Sequence, residues 1–365
     1  MKLYEKYLLK ELLINFIFYA FIFNALFMTL KLIDFIPKII DGNLTFLSAI
    51  KLSFFLIPSF GIFTIPLITL SAILFTFSKL SSNNEIIALK TLGISPFRLI
   101  KIPLIIGIFA FLFGIVNNFY ILPFSTKLFL NEVNKIIKSQ TENSLKPQQF
   151  NDILSKTVFY FLKKDKSGYM KRLIIYNNIN NQNEIIEANK GLIDIDNNII
   201  FLKLLNGNIH IKKKSGQYEI INFKKYILKY NIAESIKASI NLKDKESSVK
   251  EINKRIKKYK KIGDFKKVRY LKMEIYKRYS LPFASIIFVI IGFIFGIKSS
   301  RNPKSWTALI ILAVIFSYYS LVMISNYFVK TAIFPPMFSA WLPNIVIGIL
   351  SIILYYLTSK EKIRL

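Results

Sequence analysis

KRYSLPFASIIFVIIGFIFGIK, residues 277–298, decides how this chain folds. After Lys277 and Arg278 come nineteen residues, 279–297, with no Lys, Arg, Asp, Glu or His. At about 1.5 Å of rise per residue, a helix of this length crosses most of a hydrocarbon core about 30 Å thick. Working outward, residues 52–78, 102–126, 305–329 and 331–359 are equally free of charge. A further apolar block near the start is interrupted only by Lys31. Six membrane spans are therefore predicted, at about 12–33, 52–77, 99–122, 280–297, 305–328 and 338–358, three before and three after a polar middle. The first resembles a signal peptide superficially, but it is too long and lacks a small-x-small cleavage site before Asp34, so it reads as a retained helix.

The composition agrees. Hydrophobic residues make up 53% of the 365, with 34 Phe, and the mean hydropathy is +0.41. These values point away from a soluble enzyme and towards a membrane protein. With no Cys and one His, disulfide frameworks, Cys-rich zinc sites, thiol catalysis and multi-His metal centres are excluded. The excess of 51 Lys and Arg over 21 Asp and Glu predicts contact with something anionic: lipid head groups, a phosphorylated glycolipid or nucleic acid.

In the middle, short β-branched and aromatic runs alternate with turn residues. Strands are predicted at 157–162, 173–176, 184–188, 192–195, 199–205, 208–212, 218–222 and 226–230. Turn signals fall at Lys166-Ser167-Gly168, Asn177-Asn178, Lys190-Gly191, Asp196-Asn197-Asn198, Asn206-Gly207 and Ser215-Gly216. Such spacing predicts a sandwich or jelly roll. From about 244 to 278 the pattern turns helical and very basic, with an apolar stripe of Ile252, Ile256, Tyr259, Ile262, Val268, Leu271 and Ile275. The expected domains are 1–126 with three spans and a cytoplasmic helix at about 82–95, a β domain at 127–243, a basic connector at 244–278, and three spans in 279–365.

Lys and Arg in short loops are retained in the cytoplasm. The N-terminus (Lys2, Lys6, Lys10), the loop with Lys79, Lys90, Arg98 and Lys101, the junction with Lys298, Arg301 and Lys304, and the C-terminus (Lys360, Lys362, Arg364) share one side. The opposite short loops hold only Lys31, Lys38, Lys51 and Lys330. Cytoplasmic termini and an outward-facing β domain follow. The basic run 250–278 opposes this assignment, because it abuts the fourth span on the outer side.

No G-x-x-x-x-G-K-[ST] sequence occurs, so any ATP hydrolysis belongs to a partner and this chain is not itself an enzyme. No cofactor or metal is implied. His210, alone in a strand, reads as structural. The spans hold no carboxylate apart from Glu11 and Asp34 near the ends of the first, which disfavours proton or sodium coupling. The loop SSNNEIIALKTLGISPFR, residues 81–98, has Asn or Ser to start a helix at Glu85 and Gly93 to stop it. A short amphipathic helix there suits docking to a soluble motor, with Glu85 offered to an Arg of that partner. It also fits a plain interfacial connector.

These residues carry a resemblance. The E-I-x-A-L-K-x-x-G-I-S pattern at 85–95, K-R-Y-S-L-P-F-A at 277–284 continuing to Gly292 and Gly296, and A-W-L-P-N at 340–344 resemble the LptF/LptG permease family of the lipopolysaccharide export ABC transporter. Glu187-Ala188-x-x-Gly191 and Leu205-Asn206-Gly207 resemble that family's β-jelly-roll signature. The resemblance implies a multi-pass permease subunit of the bacterial inner membrane, with a periplasmic jelly-roll domain. Implied partners are a pair of LptB-like ATPases, a second LptF/LptG-type permease, an LptC/LptA-like periplasmic bridge, membrane lipid, and lipopolysaccharide or another anionic glycolipid, with no nucleic acid. Glu85, Ala88, Leu89 and Gly93 would form the coupling surface, and Lys31 would face lipid phosphate or snorkel to the interface. Gly292 and Gly296 would serve subunit packing or packing within the chain. The basic run 254–272 would meet phosphorylated glycolipid or head groups, or be a solvated face. The alternative is a membrane-anchored receptor whose basic soluble domain binds anionic lipid or nucleic acid. Against it, the β region lacks an RNA-recognition aromatic motif.

Overall fold

The structure, a computed structural model, describes residues 3–40, 44–143, 147–154, 157–165, 168–179, 182–196, 199–212, 218–231, 248–298 and 303–360. The turn positions Lys166, Ser167, Asn197, Asn198, Ser215 and Gly216 and the predicted boundary at 243/244 lie outside the described residues.

Six helices are long and apolar enough to cross a membrane. The first, α1 (Leu3–Ile40), precedes the short α2 (Phe46–Phe55) and the second long helix, α3 (Ile57–Ser82). After α4 (Glu85–Thr91) and α5 (Pro96–Leu99), the third spanning unit runs through α6 (Lys101–Val116), a π-helical turn at Asn117–Ile121 and α7 (Leu122–Asn143). Past the strands come α8 (Val249–Ile262), α9 (Phe265–Lys298), α10 (Pro303–Thr331) and α11 (Pro336–Lys360). The chain divides into two compact units, one holding most of the helices and the other residues 38–48 and 127–243.

Within the helical unit α3 and α9 are central: most of their apolar stretch is buried, whereas almost none of that of α1 is. Small residues let the two central helices approach. A Cβ on Gly296 would lie 2.6 Å from the Phe77 Cβ, and one on Gly292 would lie 3.2 Å from the Leu70 carbonyl oxygen. Phe77 and Phe293 meet edge to face with ring centroids 4.9 Å apart, a favoured aromatic geometry. The side chains left outside, such as Ile17, Phe21, Leu312 and Phe316, are apolar and exposed, as a surface solvated by lipid tails requires.

The second unit carries one antiparallel seven-stranded sheet: β1 (Asn151–Leu154), β2 (Thr157–Tyr160), β3 (Lys163–Lys164), β4 (Met170–Ile179), β5 (Gln182–Asp196), β6 (Ile199–Lys212) and β7 (Tyr218–Asn231). Neighbours follow chain order, β1-β2-β4-β5-β6-β7, with β3 also on β4. This is the order of a meander, and no Greek-key crossover occurs among the described pairings. The eight short runs read from sequence resolve differently. The predicted turns at Lys190-Gly191 and Asn206-Gly207 lie inside continuous strands, pairing as Lys190↔Leu205, Gly191↔Leu204 and Ala188↔Gly207.

A crease explains why these positions look like turns. Arg172 and Asn206 have φ of 51° within strands, and the pairing steps over Arg172, Asn189, Asn206 and Lys224 in one row across β4 to β7. The buried face changes parity there. Leu173 and Ile175 are buried on one side of the row in β4, and Met170 on the other. Likewise Ile186 and Ala188 give way to Gly191 in β5, and Ile209 to Leu204 and Leu202 in β6. A residue out of the β region switches which face its successors present, so the same face stays buried only if alternation skips. Gly207 has no room for a side chain, since a Cβ would come within 2.0 Å of the Glu187 carbonyl oxygen.

Candidate functional site

The loop that reads most specifically is α4. The α3 helix ends at Asn83, and Asn84 takes φ of 60°, which turns the chain so that its carbonyl accepts the Ala88 amide at 3.0 Å. At the other end Gly93 sits at φ +78°, and the Ile94 amide donates back to the Leu89 carbonyl at 3.1 Å. This is the Schellman arrangement that a glycine at the left-handed position permits. The sequence-based start and stop of this helix are therefore where Glu85 and Gly93 place them, although the helix itself covers only Glu85–Thr91.

Spacing divides its side chains. Ile86 is 2% exposed and joins a cluster with Leu8, Leu12, Phe77, Leu99 and Phe293, against which Leu89 and Ile94 pack. On the other side Ile87 and Leu92 are 56% and 77% exposed, with Ala88 and Thr91 also exposed. Of the expected docking residues, Ala88 thus faces outward, Leu89 faces the core, and Gly93 shapes the turn. Ile87 and Leu92, which the sequence reading does not single out, join Ala88 on the outward side. Ile86 and Leu89 at i, i+3 claim the inner stripe and leave Ile87 and Thr91 opposite, whereas the exposure of Leu92 comes from the turn at Gly93.

Glu85 also differs from the expectation of an open carboxylate. Its Oε2 accepts the Tyr7 hydroxyl at 2.9 Å and its Oε1 accepts the Asn83 side-chain amide at 3.1 Å. Tyr7 belongs to α1, so the carboxylate ties the short helix to the first spanning helix. A second tie runs between Glu11 and Lys79, 3.0 Å apart, and a third, buried, from the Asn15 amide to the Thr76 hydroxyl at 2.8 Å. At the same end of the bundle the Ser81 hydroxyl donates to the Ile297 carbonyl at 2.8 Å.

Towards the other end of α9, polar groups are buried. Glu274, Lys277 and Arg278 are each under 5% exposed. Lys277 pairs with Glu274 at 3.1 Å and also donates to the Asn326 side chain. Arg278 donates to the Asn118 carbonyl at 3.3 Å, while the Asn118 amide donates to the Arg278 carbonyl at 3.1 Å. Asn118, which makes its half of this pair with its side-chain amide and its backbone carbonyl, lies in the π-helical turn. Breaking one partner of a buried ion pair leaves an uncompensated charge, so the set acts as a fixed joint.

Lys31 lies 2.7 Å from Asp34, a partly exposed i, i+3 pair. Gly292 and Gly296 face α3 of the same chain, which is the intrachain alternative. His210 Nδ1 is 2.7 Å from the Tyr218 hydroxyl across β6 and β7. β7 pairs only with β6 among the described residues, and exposes Tyr218, Ile220 and Ile227.

Six apolar helices with an antiparallel sheet inserted in the middle define a multi-pass membrane protein of the permease class. The chain belongs to the lipopolysaccharide export system permease LptF/LptG family, whose profile it matches over residues 6–357. Members of that family are transport subunits, not enzymes. The chain is also similar to a protein of Rickettsia prowazekii (strain Madrid E), printed as "Uncharacterized protein RP871", at 21% identity over 328 residues, 88% of this chain and 91% of the relative. Family membership does not favour the receptor alternative.

Proposed function

We propose that this chain is one of two membrane-spanning subunits of an ABC-type exporter, which takes lipopolysaccharide or a related anionic glycolipid out of the bacterial inner membrane and passes it to a periplasmic bridge. The reading rests above all on the family match over nearly the whole chain. An LptB-like ATPase pair would dock on the exposed Ile87, Ala88 and Leu92 face of α4. Because Ile86 packs with Leu8, Leu12 and Phe77 and Glu85 bonds Tyr7, a push on α4 is passed to α1 and α3 without a flexible step.

The exposed apolar side of α1 would then line the lipid path with a second LptF/LptG-type subunit. Lys31 would exchange Asp34 for a lipid phosphate, a low-cost swap because exposed ion pairs are worth little. The edge of β7 that no strand among the described residues covers would accept a strand from the LptC/LptA-like bridge. Depleting the chain in its bacterium tests the assignment. Phosphorylated glycolipid should accumulate in the inner membrane within a few generations, and unchanged delivery to the cell surface would refute it.

A further inference from the structure

The hairpin of α8 and α9 carries charge for which the proposed transport cycle has no use. From residue 250 to 272 there are eleven Lys or Arg and two acidic residues, Glu251 and Asp264. Both carboxylates are committed to holding the hairpin. Glu251 closes a capping box with Ser248 at the start of α8. Asp264 accepts the Lys267 amide at 3.1 Å and pairs with the Lys267 ammonium at 3.1 Å. The turn between them is a second Schellman stop, with Gly263 at φ +79° and the Asp264 amide bonded to the Tyr259 carbonyl at 3.0 Å.

Folding spends the apolar stripe and leaves the cations outside. Ile252, Ile256, Val268 and Leu271 form a buried cluster with Tyr259 and Ile275 against it, so most of the apolar face is spent within the hairpin, and Ile262 and Phe265 stay exposed at its turn. Lys250, Lys254, Lys257, Lys258, Lys261 and Lys266 are all exposed. The hairpin also has a fixed height. Arg269 Nε donates to the Val329 carbonyl at 3.3 Å, and Val329 closes the charge-free stretch of α10 just before Lys330. Arg269 therefore ties α9 to the last turns of α10, and α8, folded back along α9 from the turn at Gly263, runs towards the start of the charge-free stretch at Tyr279 and carries its lysines with it.

We propose that this hairpin docks on the anionic phospholipid head groups of the leaflet on the side of the sheet. Each basic group near such a surface adds attraction within a Debye length of about 8 Å. No Lys or Arg between residues 250 and 272 is buried, and a charge spread around two helices in this way suits a diffuse layer of phosphates and not one stereospecific ligand. The inference is independent of the export reading, since it needs only the spans and the hairpin. It also explains why so many cations stand where positive charge opposes the orientation given by the short loops.

The full chain in dodecyl maltoside micelles, with Asn253→Cys as its only thiol and a polarity-sensitive fluorophore attached, provides the test. Titration with phosphatidylglycerol should give a saturable response and phosphatidylcholine none. The combined Lys254→Gln, Lys257→Gln, Lys258→Gln and Lys261→Gln variant should need at least about tenfold more phosphatidylglycerol. Raising salt from 0.05 to 0.5 M on the unaltered cations should shift the curve the same way, which keeps the test intact if the variant fails to fold. Equal responses to the two phospholipids, or insensitivity to both charge removal and salt, would overturn the proposal. A response confined to a phosphorylated glycolipid such as lipid A would overturn it too, and would make the hairpin a cargo site.

Discussion

Glu85 carries two hydrogen bonds within the chain before any partner reaches it, so its substitution has two separable effects. Tyr7→Phe removes the tie to α1 and leaves the carboxylate, and should cost about 1 kcal/mol of stability while ATPase binding persists. Glu85→Arg removes the tie and reverses the charge, and should abolish ATPase assembly or coupling while membrane insertion continues. Thermal unfolding and co-purification, measured on both variants, separate the two; normal export by Glu85→Arg would sink the docking role. Gly296 offers a packing test. A side chain there meets Phe77 at 2.6 Å and backbone at 3.1 Å, so Gly296→Val should destabilise the α3–α9 contact by roughly 1–3 kcal/mol, read as a lower unfolding temperature in detergent. An unchanged midpoint would show that α3 gives way.

At the scale of the element, the start of α9 has a predictable pH dependence. The Lys267 amide, and then its ammonium group, hold the Asp264 carboxyl below its ordinary value. A depressed carboxylate adds stability that is complete above its unfolded value, about 4, and is lost as pH falls through the folded value. Hydrogen exchange in the first turn of α9, normalised to the intrinsic rate, should therefore accelerate below about pH 4, and Asp264→Asn should flatten that profile. Elements were legible to different degrees. Charge-free blocks located the spanning helices, because in lipid the cost of a charge dominates every other preference. The strands were read too short, since Asn206-Gly207 and Lys190-Gly191 carry the chemistry of turns while serving as the crease of long strands. Turn residues report a local backbone demand, not whether the strand ends there. The hydrogen bond from Tyr7 to Glu85 spans 78 positions and leaves no local pattern.

For the molecule as a whole, short-loop charge predicts cytoplasmic termini, and the charge of the hairpin of α8 and α9 opposes that orientation. Lys190→Cys, exposed on the sheet in a chain without other thiols, should be labelled by an impermeant maleimide once the outer membrane is permeabilised; protection would place the sheet in the cytoplasm. The central claim is that the outward face of α4 joins this permease to a motor. Affinity purification of the tagged chain from gently solubilised membranes, with partners identified by mass, tests it most directly. The account predicts recovery of a P-loop ATPase and a second six-span permease, with the ATPase lost in the Ile87→Arg, Leu92→Arg double variant and the permease kept. Recovery of the ATPase at full yield with that variant, or of neither partner from membranes that retain other complexes, would contradict it.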